Sequence, residues 1–414
     1  MPGPPNQQKE SGPLLSLCLA TYHRARYLDR YLSHHLGALD AAGIDYELVV
    51  SDNCSTDETP QILARWASRN PRMRVSRQPR NVGAYPNILT TLHGARGEVV
   101  VSIADDDLAI PEQLIAYARR LADDPALVMI QAPWLLMDET KDNAVIGKFY
   151  DFVGEERFAS RQYADCLVFL LQNHVFPECW LMRRSAMPAI SGPQPRFSYS
   201  FFNMLAHALS KGEVLFCPEP HLMATAVSAG AESGQVGNRE AMESWDLYRG
   251  GLEVLASYAR QFNPGAFPDA AAVGNSILAF TCERMTVAAK LQAHARNWAN
   301  AYELLRRLHA YDFTPHIGFD HDDVARFAAI ETALVECAQL GAVEIVVGAT
   351  IPGELLEFIR PIEGTPYVSK AAADGPRAYF QVGPADASSL RAGDFSCDLA
   401  VVMERFPAFP PLAR

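Results

Sequence analysis

Four times in the first ~120 residues a short apolar run gives way to a longer stretch of helical period, and that alternation constrains the fold more than any other feature of the chain. The runs "LLSLCLA", "YELVVS", "MRVSRQ" and "EVVVSIA" read as strands. Each precedes a helical pattern: "ARYLDRYLSHHLGAL", "TDETPQILARWASR", "AYPNILTTLHGA" and "PEQLIAYARRLADD". In the first helix Tyr27, Leu28, Tyr31, Leu32, Leu36 and Leu39 recur at helical spacing. In the second, Ile62, Leu63 and Trp66 share a face behind a cap at Thr56 or Asp57, and in the last Pro111 takes a favoured first position. Parallel strands need a crossover, and a helix is the usual one. The pattern therefore predicts an α/β fold with a doubly wound, mostly parallel sheet.

Polar residues cluster just past each strand, at Thr21 to Arg24, Ser51 to Asp57, Asn81 to Gly83 and Asp105 to Asp107. If the strands run parallel, these loops share one rim. Ligands of doubly wound sheets bind on that rim, beyond the carboxyl ends of the strands. The last loop, within "VSIADDDLAIP", sets three carboxylates side by side directly after a buried run. Adjacent carboxylates repel unless something cationic sits among them, which points to a divalent metal or else to a solvated turn at a helix start.

Beyond residue 126 the pattern turns mixed. Strand-like "LVMIQAPWLLM", "CWLMRRSAM" and "EVLFCP" and helices from Tyr163 to Leu171 and Phe201 to Ser210 read as a continuation of the same sheet, carrying the pocket of a second substrate. The expected organisation is a disordered lead-in at 1–13, an α/β domain at 14–235, a helical domain at 236–340 and a small α/β module at 341–414. A net charge of -12 with no basic run excludes a nucleic-acid polymer as partner, because phosphate neutralisation needs clustered Lys and Arg. Eight cysteines without a close pair read as buried thiols of a reducing compartment, and no apolar run approaches the ~20 residues that cross a bilayer. A cytoplasmic protein is the expectation, with peripheral membrane contact and homodimerisation left open.

Taken together, the strand-end segments resemble those of the family 2 glycosyltransferases, enzymes of the GT-A fold, from about Leu14 to Val227. "LSLCLATYHRARYL" is similar to the opening strand and turn written S-I-I-I-P-T-Y-N-R, with Ala20 in place of Pro and His23 in place of Asn. "ELVVSDNCSTDET" is similar to the second-strand signature, "RNVGAYPN" to an Asn-x-Gly turn with a downstream Asn, and "ADDDLAIPEQL" to the DxD-type element. The variant with Ser-Asp-Asn and a triple Asp resembles transferases that place deoxysugars and related units on bacterial surface polysaccharides.

The resemblance implies transfer of a sugar from a nucleotide diphosphate sugar, UDP first among carriers, to a hydroxyl of a glycan, lipid-linked or protein acceptor, with inversion. It implies Mn²⁺ or Mg²⁺ shared between carboxylates and phosphates. It makes Asp106 the direct metal ligand, makes Asp107 a neighbouring or water-mediated one, and sets Asp105 near the donor ribose. Asp52 takes the place of the acceptor of a pyrimidine N3–H, unless Asp52 and Asn53 only form an Asx turn. Thr21 and Tyr22 would meet the base and ribose, and Asn81 and Gly83 would shape a turn close to the nucleotide. Arg24 either meets a phosphate or lies exposed at a helix start.

One part of the pattern is missing. Inverting members carry an acidic pair at the start of a later helix, here "SYSFFNMLAHALSKG", whose corresponding positions near Ser200 and Phe201 hold no carboxylate. Glu178 in "HVFPECWLMRRSAM", beside Trp180 as a sugar platform, is the first substitute base. His207 is the second and His174 the third, against the plain alternatives of a surface carboxylate and structural histidines. Arg183 and Arg184 would bind an anionic acceptor or the diphosphate, or face solvent. A catalytically degenerate nucleotide- or glycan-binding assembly subunit is the second reading. A sugar nucleotidyltransferase is disfavoured, because "ATYHRARY" contains no Gly for a phosphate-cradling loop.

Overall fold

The computed structural model describes residues 12–189, 192–228, 241–265, 269–348, 351, 353–368, 376–381, 390 and 393–409. The chain divides into two compact units, Met1–Ser233 with Asp246–Ile277, and Gly234–Trp245 with Leu278–Arg414. This differs from the expected boundaries. Helical residues 246–277 join the α/β unit, and the remaining helices share a unit with the C-terminal α/β segment. All of the lead-in except its last two residues lies outside the described residues.

The first unit opens with the predicted strand-helix units: β1 (Leu15–Thr21), α1 (Ala25–Ala41), β2 (Tyr46–Asp52), α2 (Thr59–Ala67), β3 (Met73–Arg77), α3 (Ala84–Gly94) and β4 (Val99–Ser102). It continues through β5 (Leu108–Ala109), α4 (Pro111–Asp123), β6 (Leu127–Gln131), β7 (Leu135–Asp138), β8 (Ala144–Lys148), β9 (Glu156–Phe158), α5 (Tyr163–Gln172), β10 (Trp180–Arg183), α6 (Ser200–Lys211), β11 (Glu213–Phe216) and β12 (Leu222–Val227), to α7 (Trp245–Phe262). β2 is buried at every position and β1 at all but one. Continuous burial marks strands covered on both faces, which is why they read as unbroken apolar runs. α3 packs on β1 and β2, while α1 lies with α2 and α4.

The main sheet has the order β3-β2-β1-β4-β10-β6-β11-β9. β1, β2, β3 and β4 are mutually parallel, as are β6 and β11, whereas β10 runs antiparallel to both β4 and β6, and β9 antiparallel to β11. The expected single continuous sheet is not what forms. "LVMIQAPWLLM" splits around Pro133, which has no N–H for a ladder, into β6 of the main sheet and β7 of a second sheet ordered β5-β12-β7-β8.

In the second unit α8 (Ala270–His294), at which the division falls, is followed by α9 (Trp298–His309) and α10 (His321–Gln339). Asp320 caps α10 by accepting from the backbone N–H groups of Asp322 and Asp323. Beyond them lies a parallel sheet of order β14-β13-β15-β16, formed by β13 (Glu344–Val347), β14 (Tyr367–Val368), β15 (Arg377–Gln381) and β16 (Phe395–Asp398). Its core centres on fully buried Trp298, whose indole donates to Phe358 O at 2.7 Å. Among the described residues no helix is long and apolar enough to cross a membrane.

Candidate active site

β2 and β3 lie on one side of β1 and β4 on the other, so the winding direction reverses between β1 and β4. That reversal opens a crevice at the carboxyl ends of the two strands, where the loops after them diverge. Registers align the strand ends, with Thr21 opposite Asp52 and Asp52 opposite Arg77. The predicted loops therefore meet on one rim.

At this crevice the Asp triplet is tied to the end of β1, to the start of α1 and to β12. Thr21 Oγ1 donates to Asp105 Oδ2 at 2.7 Å, and Arg24 reaches Asp105 Oδ1 at 3.2 Å and Asp106 Oδ2 at 3.9 Å. Thr21 is thus turned inward to the carboxylate and not outward to a base, because buried Asp105 needs donors. Arg24 is not an exposed helix-start residue; its side chain is only 18% exposed. Asp106 O accepts from Arg30 Nη2 at 2.9 Å and from Thr225 Oγ1 at 2.6 Å, and Asp107 Oδ1 accepts from the Thr225 N–H at 2.9 Å. His35, fully buried, closes the loop from behind. Its Nε2 accepts from the Ala109 N–H at 3.0 Å, which leaves the proton on Nδ1 to donate to Tyr31 O at 2.8 Å, and burial pushes its pKa down to about 3. Neither Arg30, Thr225 nor His35 has a spacing that marks it in the sequence.

Burial, with repulsion from Asp106 added, pushes the Asp105 carboxyl up to about 7, although Arg24 and the Thr21 hydroxyl pull the other way. Asp107 is pushed up too, by its desolvated surroundings and then by Asp106. The three carboxylates outnumber Arg24 and Arg30, the two cations beside them, and a divalent cation fits that deficit. No three His, Cys, Asp or Glu side chains form a ready-made cage among the described residues. An ion here would complete its shell with phosphate oxygens and water, the habit of Mg²⁺-type sites.

On the other side of β1, Asp52 is 1% exposed. Its Oδ1 accepts from the Ser55 N–H at 3.0 Å; its Oδ2 lies 3.3 Å from Arg77 Nε but makes no hydrogen bond. Arg77 also donates to Ser55 O and is half-exposed, so it lies over the carboxylate as a movable side chain. Asn53 links this loop to the next: its amide donates to Asn81 Oδ1 at 2.9 Å and Gly83 O at 3.2 Å, while its own oxygen accepts from the Val82 N–H at 2.9 Å. Gly83 has φ 92°, a conformation costly for any residue with a Cβ. Tyr22, 39% exposed, stacks on His23 at 4.0 Å at the rim.

Residues 16–190 match the family model described as Glycosyl transferase family 2. This domain belongs to that family. The transferase domain is 27% identical over 176 residues to an uncharacterized protein of Mycobacterium tuberculosis, covering 42% of this chain and 53% of that one. It is 29% identical over 114 residues to abequosyltransferase RfbV of Salmonella typhimurium, covering 27% of this chain and 34% of the relative. The chain spans about half the length, or less, of the curated relatives it matches. Among solved structures, that of S. aureus TarS is similar at a TM-score of 0.47 and 15% identity, over 76% of this chain and 51% of that one.

The remaining candidates of the transferase domain separate along β10. Because β10 is antiparallel to β4, with Leu181 opposite Val101 and Arg183 opposite Val99, its start lies at the carboxyl end of β4 and its finish at the opposite end. Glu178, just before the start, is thereby on the Asp-triplet side, and the Cys179 thiol beside it feels both Glu178 and Asp107. His207 is at the other end: its Nε2 lies 2.9 Å from Ala186 O, past the finish of β10, so it ties α6 to the sheet away from the triplet. Arg183 and Arg184 go with it, pairing with Glu98 at 2.6 Å and donating to Gly97 O at 2.9 Å, and neither faces the crevice. Trp180 is 5% exposed, inside the sheet, and offers no sugar platform. His174 is exposed in the turn after α5, with φ 50°.

Proposed function

We propose that this chain is a metal-dependent glycosyltransferase that moves a sugar from a nucleotide diphosphate sugar, UDP first among carriers, to an acceptor hydroxyl, with inversion. The observation that carries this reading is the crowding of Asp105, Asp106 and Asp107 at the point where the sheet reverses, with Arg24 and Arg30 beside them. Asp106 and Asp107 would hold Mn²⁺ or Mg²⁺, which supplies charge neutralisation to the leaving diphosphate. Arg24 and Arg30 orient the carboxylate loop and add positive charge beside it. The ring of Tyr22 stacks a base, Asn81 and Gly83 set the turn beside it, and Asp52 accepts an N–H from the base edge when Arg77 swings aside. Asp105 stands on the ribose side. Glu178, on the same side of the sheet as the triplet, is the general base for the acceptor hydroxyl. Relatives named for abequose transfer and succinoglycan biosynthesis support a role in assembling bacterial surface glycans.

Thermal shift with UDP in the presence and absence of Mn²⁺ tests the donor half. Binding to the folded state raises the melting temperature, by RT ln(1 + [L]/Kd), about 2.7 kcal/mol at one hundred times Kd. A shift with UDP and Mn²⁺ together, lost in Asp106→Ala, is the expected result. UDP release from a UDP-sugar, also lost in Asp106→Ala, separates an enzyme from a binding-only subunit. No shift with any nucleoside diphosphate, with or without metal, overturns the proposal.

A further inference from the structure

Three arginines surround one ring at the start of α1. The guanidinium carbons of Arg24, Arg26 and Arg30 lie 5.3, 4.6 and 5.9 Å from the ring centroid of Tyr27. Two of them turn to Glu139. Arg26 pairs with it at 3.3 Å, and Arg30 pairs with it at 3.6 Å while donating to Asn143 Oδ1 at 2.8 Å and to Asp106 O at 2.9 Å. Arg24 turns the other way, to Asp105 Oδ1 and Asp106 Oδ2. We infer that Arg24 is a built-in counter-ion: it occupies the metal seat in the metal-free protein and passes to the donor diphosphate once a divalent ion takes that seat, so that one side chain couples metal binding to donor binding. The inference rests on the reading of Asp106 as metal ligand given under the proposed function.

Arg24 is held in a way that permits the exchange. Among the described residues its guanidinium makes no hydrogen bond, and it meets the two carboxylates by charge alone, at 3.2 and 3.9 Å. An ion pair without a hydrogen bond is the weaker kind. The backbone that carries it is fixed. The Arg24 N–H donates to Thr59 Oγ1 at 3.0 Å, and Arg24 O accepts from the N–H groups of Tyr27 and Leu28 as α1 begins. The side chain can therefore swing about an anchored backbone. Arg30, which donates through both of its Nη atoms, cannot leave without breaking hydrogen bonds.

Charge sets the direction of the exchange. Asp106 is the carboxylate that Arg24 shares with the proposed metal seat, and two cations on one carboxylate repel each other. In the metal-free protein three carboxylates face Arg24 and Arg30, and the loop is short of positive charge. With a divalent ion in place the balance turns positive, and Arg24 is the cation free to leave. A diphosphate is the anion that the proposed reaction brings to this crevice, and the planar fork of an arginine matches its oxygens. Coupling of this kind is reciprocal. Metal raises the affinity for the diphosphate by the factor that the diphosphate raises the affinity for metal.

The test uses the full chain freed of metal by chelation. Mn²⁺ binding is read from the electron paramagnetic resonance signal of the free ion, and UDP binding by calorimetry with and without Mn²⁺. Arg24→Gln removes the counter-ion, and Arg26→Gln removes an equal charge from the same ring whose partner is Glu139. Arg24→Gln is expected to bind Mn²⁺ at least about fivefold more tightly than wild type, the lower end of ordinary coupling, with Arg26→Gln close to wild type. The factor by which Mn²⁺ raises UDP affinity should shrink in Arg24→Gln. In the wild type, where no variant has to fold, phenylglyoxal labelling of Arg24 read by peptide mass spectrometry should speed up with Mn²⁺ and slow again when UDP is added. A Mn²⁺ affinity that falls in Arg24→Gln, or that moves equally in Arg24→Gln and Arg26→Gln, overturns the role of Arg24, and so does labelling unmoved by bound Mn²⁺. Failure of Mn²⁺ to bind the wild type, with or without UDP, removes the metal reading itself.

Discussion

Replacing Asp105 by Asn is expected to make the metal-free protein more stable at alkaline pH and to damage its function at the same time. Asp105 is 6% exposed, and burial is the main reason its carboxyl titrates at about 7 in place of 3.8. The folded state therefore holds a proton that the unfolded chain has already released. A raised carboxylate pKa means that folding stability falls as pH rises from about 4 to about 7, and the full penalty stands above that window. A shift of roughly three units at 1.36 kcal/mol each gives a penalty on the order of 4 kcal/mol at pH 8, and less than half of that at pH 5. Asn has no charge to desolvate and can still accept from the Thr21 hydroxyl. Guanidinium denaturation of wild type and Asp105→Asn at pH 5 and pH 8, without divalent metal, measures the difference. The variant should gain relative to wild type between the two pH values, and the gain should shrink when Mn²⁺ and UDP are added to the wild type. A difference that is the same at both pH values refutes the argument, because it would mean that Asp105 does not carry the buried charge.

Two further substitutions probe the packing on which the sites rest. Ala at a helical Gly ordinarily adds about 1 kcal/mol of stability, but Gly251→Ala should cost roughly 1–3 kcal/mol, since its Cβ would meet the Phe202 ring; a lower urea midpoint is the expected reading and a higher one contradicts it. In the second unit Arg377 and Asp394 form an ion pair whose side chains are 4% and 1% exposed, so Arg377→Met should cost roughly 3–5 kcal/mol by chemical denaturation, and the double substitution Arg377→Met with Asp394→Leu should recover most of it.

The strand-helix alternation was legible because it is local. An apolar run buried on both faces, or an apolar stripe at helical spacing, is written in consecutive residues, and the helix expected from Tyr163 to Leu171 spans Tyr163–Gln172. Which polar residues lie at strand ends was legible for the same reason, and the Asp triplet, Asp52 and the Asn81–Gly83 turn fall on one rim. Direction within that rim was not legible. Thr21 belongs to Asp105 because a buried carboxylate draws the nearest hydroxyl, and Arg77 covers Asp52 because parallel register sets the two strand ends side by side.

The acceptor side depended still more on distant contacts. His207, Arg183 and Arg184 were plausible by residue type, yet the antiparallel insertion of β10 between β4 and β6 sends them to the far end of the sheet and brings Glu178 to the near one. Nothing in "HVFPECWLM" states that direction. By itself, then, the sequence determined the α/β class, the strand-end loops and the family signature, since each is a pattern of neighbouring residues. Only the tertiary structure decided which carboxylate meets which partner. Tyr199 reaches Glu178 across 21 positions of chain, and it is held there by α7, whose paired glycines admit a backbone approach that no local pattern encodes.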